Sequence, residues 1–139
     1  GDVNRLAPGR RPFHTLNPAM AELPDGKILS YGTMGGEGQP QTQALVYTRH
    51  VLFGQPIQQA ITAPRFLLGR TWGDTGTNLK LESRFDTGLV SALGAAGHDV
   101  EAIAPFSDLM GHAGAVSLRA DGVMEGGSDP RADGKAAAV

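Results

Sequence analysis

The sequence has 139 residues and no cysteine, and its 12 Lys and Arg against 14 Asp and Glu give a formal net charge of −2. This length suits one domain with a core of its own, and the lack of cysteine excludes disulfides, thiolate metal sites and a cysteine nucleophile. The near-neutral charge offers no field for nucleic acid or anionic lipid, and no apolar run nears the roughly 20 residues of a membrane helix, so we expect a soluble, cytoplasmic or periplasmic protein.

The chain begins with a segment that carries no helix or strand pattern. Residues 1–18 contain several arginines and prolines without an apolar period, and we expect an extended lead-in that packs on something else. Two short apolar runs follow, over residues 19–23 and 27–32. They are joined by Pro24-Asp25-Gly26, in which Pro presets φ and Gly supplies a positive φ, so we predict a β-hairpin.

Two helices are predicted next. Apolar residues recur at three- and four-residue spacing over residues 39–53, and Gly54 stands where a left-handed residue commonly ends a helix. A second, short helix over residues 56–63 begins with a proline and is stopped by Pro64.

The second half of the chain adds short strands and one more helix. Asp86 is placed to cap a helix that Gly97 closes, between strands at 79–82 and 99–103. Residues 113–119 and 123–126 form a second hairpin around Ala-Asp-Gly. About six strands and three helices predict an antiparallel α+β fold, with residues 1–139 forming a single domain.

A glycine cluster reads GTMGGEG over residues 32–38, between a strand and a helix. Glycines there let a bound group approach the backbone and leave N–H donors free, so Gly35 and Gly36 are candidate donors to a developing anion. Pro40 and Gln41 stand where a phosphate-binding loop needs Lys and Ser, which disfavours nucleotide binding. From these residues alone, a structural turn and an oxyanion site both stay open.

Other polar residues favour structural roles. His14, His50, His98 and His112 lack the spacing of metal ligands, and no serine-hydrolase GxSxG motif is present. His50 falls within the predicted helix and is expected to be partly buried and hydrogen-bonded. Asp129-Pro130-Arg131 predicts a salt bridge within a turn, with a role in lining a site as the alternative. We therefore predict neither a metal nor a cofactor.

Several segments together carry a family resemblance. They are RRPFHTLNP from Arg10 to Pro18, GTMGG from Gly32 to Gly36, AxxAPR from Ala60 to Arg65, LxLE from Leu79 to Glu82, and the later AAGHDV and GGSDPRADGKAAA. Their order and spacing resemble the C-terminal part of the small subunit of gamma-glutamyltransferases, also called gamma-glutamyltranspeptidases. That family belongs to the N-terminal nucleophile hydrolases, whose precursors cleave themselves.

The resemblance implies part of a layered αββα sandwich and an acyl-transfer chemistry without a cofactor. The two adjacent glycines of the family's GSPGG-like loop donate backbone N–H groups to the tetrahedral oxyanion, and they match Gly35 and Gly36. The family's nucleophilic Thr lies upstream of the segment that matches this chain. The resemblance therefore implies partners from the same precursor, namely the large subunit and the N-terminal portion of the small subunit.

The sequence departs from the family at the substrate side. Where the family shows paired serines that contact the substrate's alpha-carboxylate, this chain has His14 and Thr15, and Met34 replaces the proline of the loop. The substrate is expected to be a small gamma-glutamyl or acyl amide, with weak use of glutathione. A cephalosporin-acylase-like amidase and a non-catalytic binding or structural domain are the alternatives.

Overall fold

A computed structural model describes residues 5–71 and 75–138 of the chain. Within these ranges it contains seven strands and three helices. They are β1 (Ala19–Glu22), β2 (Ile28–Thr33), α1 (Gln39–Tyr47), α2 (Ile57–Thr62), β3 (Phe66–Leu68), β4 (Leu79–Glu82), α3 (Thr87–Ala95), β5 (Val100–Ile103), β6 (Ala113–Leu118) and β7 (Met124–Ser128). None of the helices described is both long and apolar enough to cross a membrane.

The strands form two sheets. The larger has the order β1-β2-β6-β7 and is antiparallel throughout, so both predicted hairpins are confirmed. The smaller has the order β3-β4-β5, in which β3 pairs antiparallel with β4 but β5 runs parallel to it. The parallel pair differs from the all-antiparallel pairing expected from the sequence, because α3 carries the chain back across the sheet before β5 begins.

Strand β3 was not predicted. It has three residues directly after the Pro64-Arg65 pair, which is too short for an alternating pattern to stand out. Its pairing with β4 from Phe66↔Leu81 to Leu68↔Leu79 makes it a strand. The sequence accordingly indicated about six strands, and the described residues form seven.

The main core lies between the larger sheet and helices α1 and α2. Strand β6 alternates buried and exposed residues along its whole length, as a strand with one covered face should. Its buried residues join side chains from β2 and the two helices in one cluster, which consists of Leu29, Val46, Ile57, Ile61, Ala113 and Ala115. The opposite face carries Met20, Val116 and Met124, which are 76%, 50% and 72% exposed, and is called here the uncovered sheet face.

The helix ends follow the predicted signals closely. The Asp86 carboxylate accepts a hydrogen bond from the Leu89 amide at 3.2 Å, as an N-cap should. The predicted helix over 39–53 is α1 continued by one wider π-helical turn, Thr48–Leu52. Gly54 follows with φ of +65°, which is the left-handed conformation expected there.

Candidate active site

Residues 33–36, called here the glycine loop, connect β2 to a short 3₁₀ turn that leads into α1. Gly35 has φ of +132° and Gly36 has φ of +51°. Residues with a side chain rarely adopt either angle, and the first is essentially restricted to glycine. The two adjacent glycines are therefore required by the backbone path of this loop.

The orientation of the peptide between Gly35 and Gly36 is fixed by hydrogen bonds to its carbonyl group. The Gly35 carbonyl accepts hydrogen bonds from the buried Thr71 hydroxyl and from the Gly38 amide, each at 2.8 Å. A trans peptide points its N–H opposite to its C=O, so the Gly36 N–H is directed away from these partners. Neither the Gly35 nor the Gly36 N–H donates to any residue of the described ranges.

Gly111 supports the other end of the glycine loop. Its φ is +75°, and a Cβ atom added there would clash with the Met34 carbonyl oxygen. A Cβ on Gly35 would in turn lie 3.5 Å from the Gly111 Cα. The two segments thus touch backbone to backbone, which sets the position of the Met34–Gly35 peptide.

The Gly111 segment is itself held by a buried guanidinium. Nη1 of Arg65 donates to the carbonyls of Met110 and Gly111, at 3.1 Å in each case, and the Thr42 hydroxyl also donates to Met110 at 3.0 Å. Arg65 is fully buried. A charge placed there must be neutralised nearby, because an isolated buried ion is very costly.

Buried carboxylates neutralise the Arg65 charge. Arg65, Glu82, Asp129 and Arg131 form a group called here the charged cluster. Arg65 pairs with Asp129 at 2.7 Å, Asp129 with Arg131 at 3.0 Å, and Arg131 with Glu82 at 2.5 Å. The Arg65 amide also donates to Glu82 at 3.0 Å. The cluster joins β4 and the segment after β7 to the residue before β3.

Burial and pairing shift the pKa values of the cluster in opposite directions. Burial lowers the pKa of Arg65 to about 10, against the raising effect of Asp129. Burial by itself raises the pKa of Glu82 and of Asp129, but the guanidinium groups and the amide donors of Arg65, Ala113 and Arg131 outweigh it, and both carboxyls end below their ordinary pKa. All four side chains are charged at neutral pH.

The predicted salt bridge between Asp129 and Arg131 is therefore present, within a much larger group. The sequence did not predict that Arg65 and Glu82 pair with these two residues, although Arg65 ends the AxxAPR motif and Glu82 ends the LxLE motif. They are 17 residues apart along the chain, and no local pattern indicates which buried arginine meets which carboxylate. Thr71 and Gly111, which position the glycine loop, were missed for the same reason.

The other predicted site residues lie in the lead-in, which has neither helix nor strand over residues 5–18. His14 and Thr15 are both exposed. The Thr15 carbonyl accepts a hydrogen bond from the Gln39 side chain at 3.3 Å, and the Asn17 carbonyl accepts one from the Gln43 side chain. Because Gln39 is the third residue after Gly36, these bonds attach the lead-in to the helix that leaves the glycine loop.

The structure supports a structural role for His50. His50 is partly buried, and its Nδ1 lies 2.8 Å from the Gln55 carbonyl, as expected for a structural histidine. Among residues 5–71 and 75–138, no three His, Cys, Asp or Glu side chains lie close enough to hold a metal ion.

The whole chain is similar to known proteins. The family model described as gamma-glutamyltranspeptidase matches residues 1–139. The oxamate amidohydrolase proenzyme of Klebsiella pneumoniae is 56% identical over 132 residues, which cover 95% of this chain and 25% of that protein. The glutathione hydrolase-like YwrD proenzyme of Bacillus subtilis is 44% identical over 137 residues, covering 99% of this chain and 26% of that protein.

A solved structure gives the same result at the level of the fold. Cephalosporin acylase from Bacillus halodurans superimposes with a TM-score of 0.69 at 27% identity, over 96% of this chain and 25% of that chain. The chain thus spans about a quarter of the length of each of these three proteins.

Proposed function

Because the chain belongs to the gamma-glutamyltranspeptidase family, we propose that it is the oxyanion-binding part of an amide hydrolase whose nucleophilic Thr lies in another part of the same enzyme. The observation that carries the proposal is the glycine loop. Its two adjacent N–H groups have no partner among the described residues, and the neighbouring carbonyls are held in place by Thr71 and by contact with Gly111. Donors held ready in this way stabilise charge that develops in a transition state.

The proposed reaction is acyl transfer. The Thr hydroxyl gives its proton to the amino group of the same N-terminal Thr and attacks the carbonyl carbon of the amide, and the electron pair of the C=O bond moves to the oxygen. The resulting oxyanion accepts hydrogen bonds from the amides of Gly35 and Gly36. The C–N bond then breaks as the nitrogen takes up a proton, the amine leaves, and water releases the acyl group from the Thr ester. None of these steps needs a cofactor.

His14 and Thr15 are proposed to contact a carboxylate of the substrate. A Thr hydroxyl and a His ring N–H are both hydrogen-bond donors, so the pair can replace two serines in number of donors, but with a bulkier ring. Oxamate, which the relative from Klebsiella pneumoniae is named for, is the first amide to test. Glutathione is expected to be a weaker substrate, because the larger His14 ring alters the carboxylate-binding position.

The remainder of the enzyme is proposed to cover the uncovered sheet face. Met20, Val116 and Met124 form an exposed apolar surface on the side of the larger sheet that α1 and α2 leave open. Apolar surfaces of this kind commonly mark interfaces. A second sheet from the rest of the precursor would bury them and complete an αββα sandwich.

A cephalosporin-acylase-like activity is the second candidate. It is supported by the match to cephalosporin acylase at 27% identity over nearly the whole chain. Hydrolysis of bulky acyl amides by the complete enzyme, in preference to oxamate and glutathione, would favour this second candidate.

The test uses the complete enzyme with Gly35→Ala and Gly36→Ala, measured on oxamate, glutathione and a bulky acyl amide. Alanine keeps the amide N–H, but its Cβ disfavours the positive φ of both positions and so turns the N–H away from the oxyanion. Each substitution is therefore expected to lower kcat by about 10²-fold or more, the scale of losing one oxyanion donor. Gly54→Ala and Gly97→Ala are matched controls, because both glycines have a positive φ and open space around them, so they should keep kcat. Wild-type turnover in both loop variants, or hydrolysis by the 139-residue chain alone, would refute the proposal.

A further inference from the structure

Three glutamines on the first two turns of α1 use their side-chain amides to hold other parts of the backbone. Gln41 makes a two-way pair with Leu68 at the end of β3, donating to its carbonyl at 3.0 Å and accepting from its amide at 2.8 Å. Gln39 and Gln43 instead donate to the carbonyls of Thr15 and Asn17 in the lead-in. The helix thus holds β3 through one glutamine and the lead-in through two others.

The geometry of the helix explains this division. Residues 39 and 43 are four apart and lie on the same face of α1, one turn from each other. Their acceptors, Thr15 and Asn17, are two residues apart, so an extended lead-in can run along this face and meet both amides. The four residues form what is called here the lead-in clamp.

The clamp holds the lead-in at one position because Gln43 is buried, with 9% of its surface exposed. A buried amide donor without an acceptor is costly, so the Gln43 side chain requires the Asn17 carbonyl at this position. The lead-in itself is exposed and forms no strand over residues 5–18, so the described part of the chain supplies no sheet ladder to hold it.

We propose that Gln39 and Gln43 are positioning residues for substrate selection. They fix the distance of Thr15, and of His14 beside it, from the glycine loop. The enzyme therefore selects amides in which the carboxylate and the scissile carbonyl are separated by a matching distance. The inference rests on the proposed function, since it takes His14 and Thr15 to bind that carboxylate. The substrate class is a short acyl amide bearing one carboxylate.

The test measures kcat and KM of the complete, processed enzyme on ω-carboxy amides with two to five carbons. In Gln39→Met and Gln43→Met, KM for the best amide is expected to rise about tenfold with little change in kcat. The preference between neighbouring members of the series should fall at least about fivefold. Gln41→Met is the matched control, because it removes an amide from the same helix that holds β3, and it should lower Tm without changing KM or the preference.

A second variant tests the donor itself. Gln43→Glu keeps the shape of the side chain but presents a carboxylate to the Asn17 carbonyl, and it should raise KM at neutral pH. At acidic pH the protonated carboxyl can donate, and KM relative to wild type at the same pH should recover. KM does not depend on the fraction of enzyme that has folded and matured, so poor yield of a variant does not obscure the result.

The outcomes separate this inference from the proposed function. Unchanged KM and preference in both Met variants, or an equal rise in Gln41→Met, would overturn the role of the clamp and leave the oxyanion assignment intact. A wild-type enzyme that hydrolyses glutathione or a bulky acyl amide but none of this series would overturn the inference alone. A wild-type enzyme that hydrolyses none of these amides would overturn the proposed function, and the inference with it.

Discussion

The charged cluster and the glycine loop both contact the Gly111 segment, but they differ in how far their hydrogen-bonding groups are paired. In the cluster, the Glu82 carboxylate accepts five hydrogen bonds. The donors are the Arg65 amide, the Arg84 side chain, the Ser107 amide and two side-chain nitrogens of Arg131. In the loop, the N–H groups of Gly35 and Gly36 have no acceptor among the described residues. The contrast teaches that donors can be kept free for a ligand where the carbonyl of the same peptide is held by other hydrogen bonds.

The two regions are joined by a short chain of contacts. Arg65 holds the Met110 and Gly111 carbonyls, and Gly111 lies against the Met34 carbonyl. The buried charges therefore reach the loop through the backbone of the Gly111 segment. Substitutions along this series of contacts should separate effects on stability from effects on turnover.

The largest effect is expected from Glu82→Gln, which keeps the size of the side chain and removes its charge. Asp129 then remains as the one carboxylate of the cluster for Arg65 and Arg131, and breaking a buried ion pair from one side typically costs about 3–5 kcal/mol in the free energy of unfolding. Denaturant unfolding of the complete enzyme measures it. Asp121→Asn is the control, because its pair with Arg119 is about half exposed, and it should cost under about 1 kcal/mol.

A smaller effect, on turnover, is expected from Gly111→Ala. The added Cβ would press on the Met34 carbonyl and turn the Met34–Gly35 peptide, so kcat should fall by about tenfold, or about 1.4 kcal/mol. Gly122→Ala has a similar positive φ, with open space around it, and should lose stability by about 1–2 kcal/mol without losing turnover. Equal kcat in the two variants would show that Gly111 does not support the loop.

The smallest effect is expected from pH. The pKa values of Glu82 and Asp129 are lowered in the folded protein, so their stabilisation is complete above the unfolded pKa near 4 and is lost as pH falls through the folded values. The difference in unfolding free energy between wild type and Glu82→Gln should stay constant from pH 8 to 5 and shrink below about pH 4. A difference that is unchanged at pH 3 would contradict the lowered pKa.

What the sequence could predict is what neighbouring residues determine. The hairpin turns, the Asp86 cap and the ends at Gly54 and Gly97 each depend on a few adjacent residues, and the structure confirms them. The glycine pair was also found, because only glycine suits that backbone. The roles of Gly35, Gly36, His14 and Thr15 in the reaction stay predictions.

What the sequence could not predict depends on residues far apart in the chain. The pairing of Arg65 with Asp129 and of Glu82 with Arg131 forms only when β4 and the segment after β7 come together. The parallel pairing of β5 with β4 and the support of the loop by Thr71 have the same origin. A single sequence carries no local signal for such contacts.

The lead-in clamp has a consequence for how this protein can change during evolution. Gln39 and Gln43 donate hydrogen bonds to main-chain carbonyls, which every amino acid possesses. These bonds place no constraint on the side chains of residues 14–17. Mutations at those positions can therefore replace the recognising groups one at a time while the backbone of the lead-in keeps its course. A new substrate preference can arise without a new scaffold.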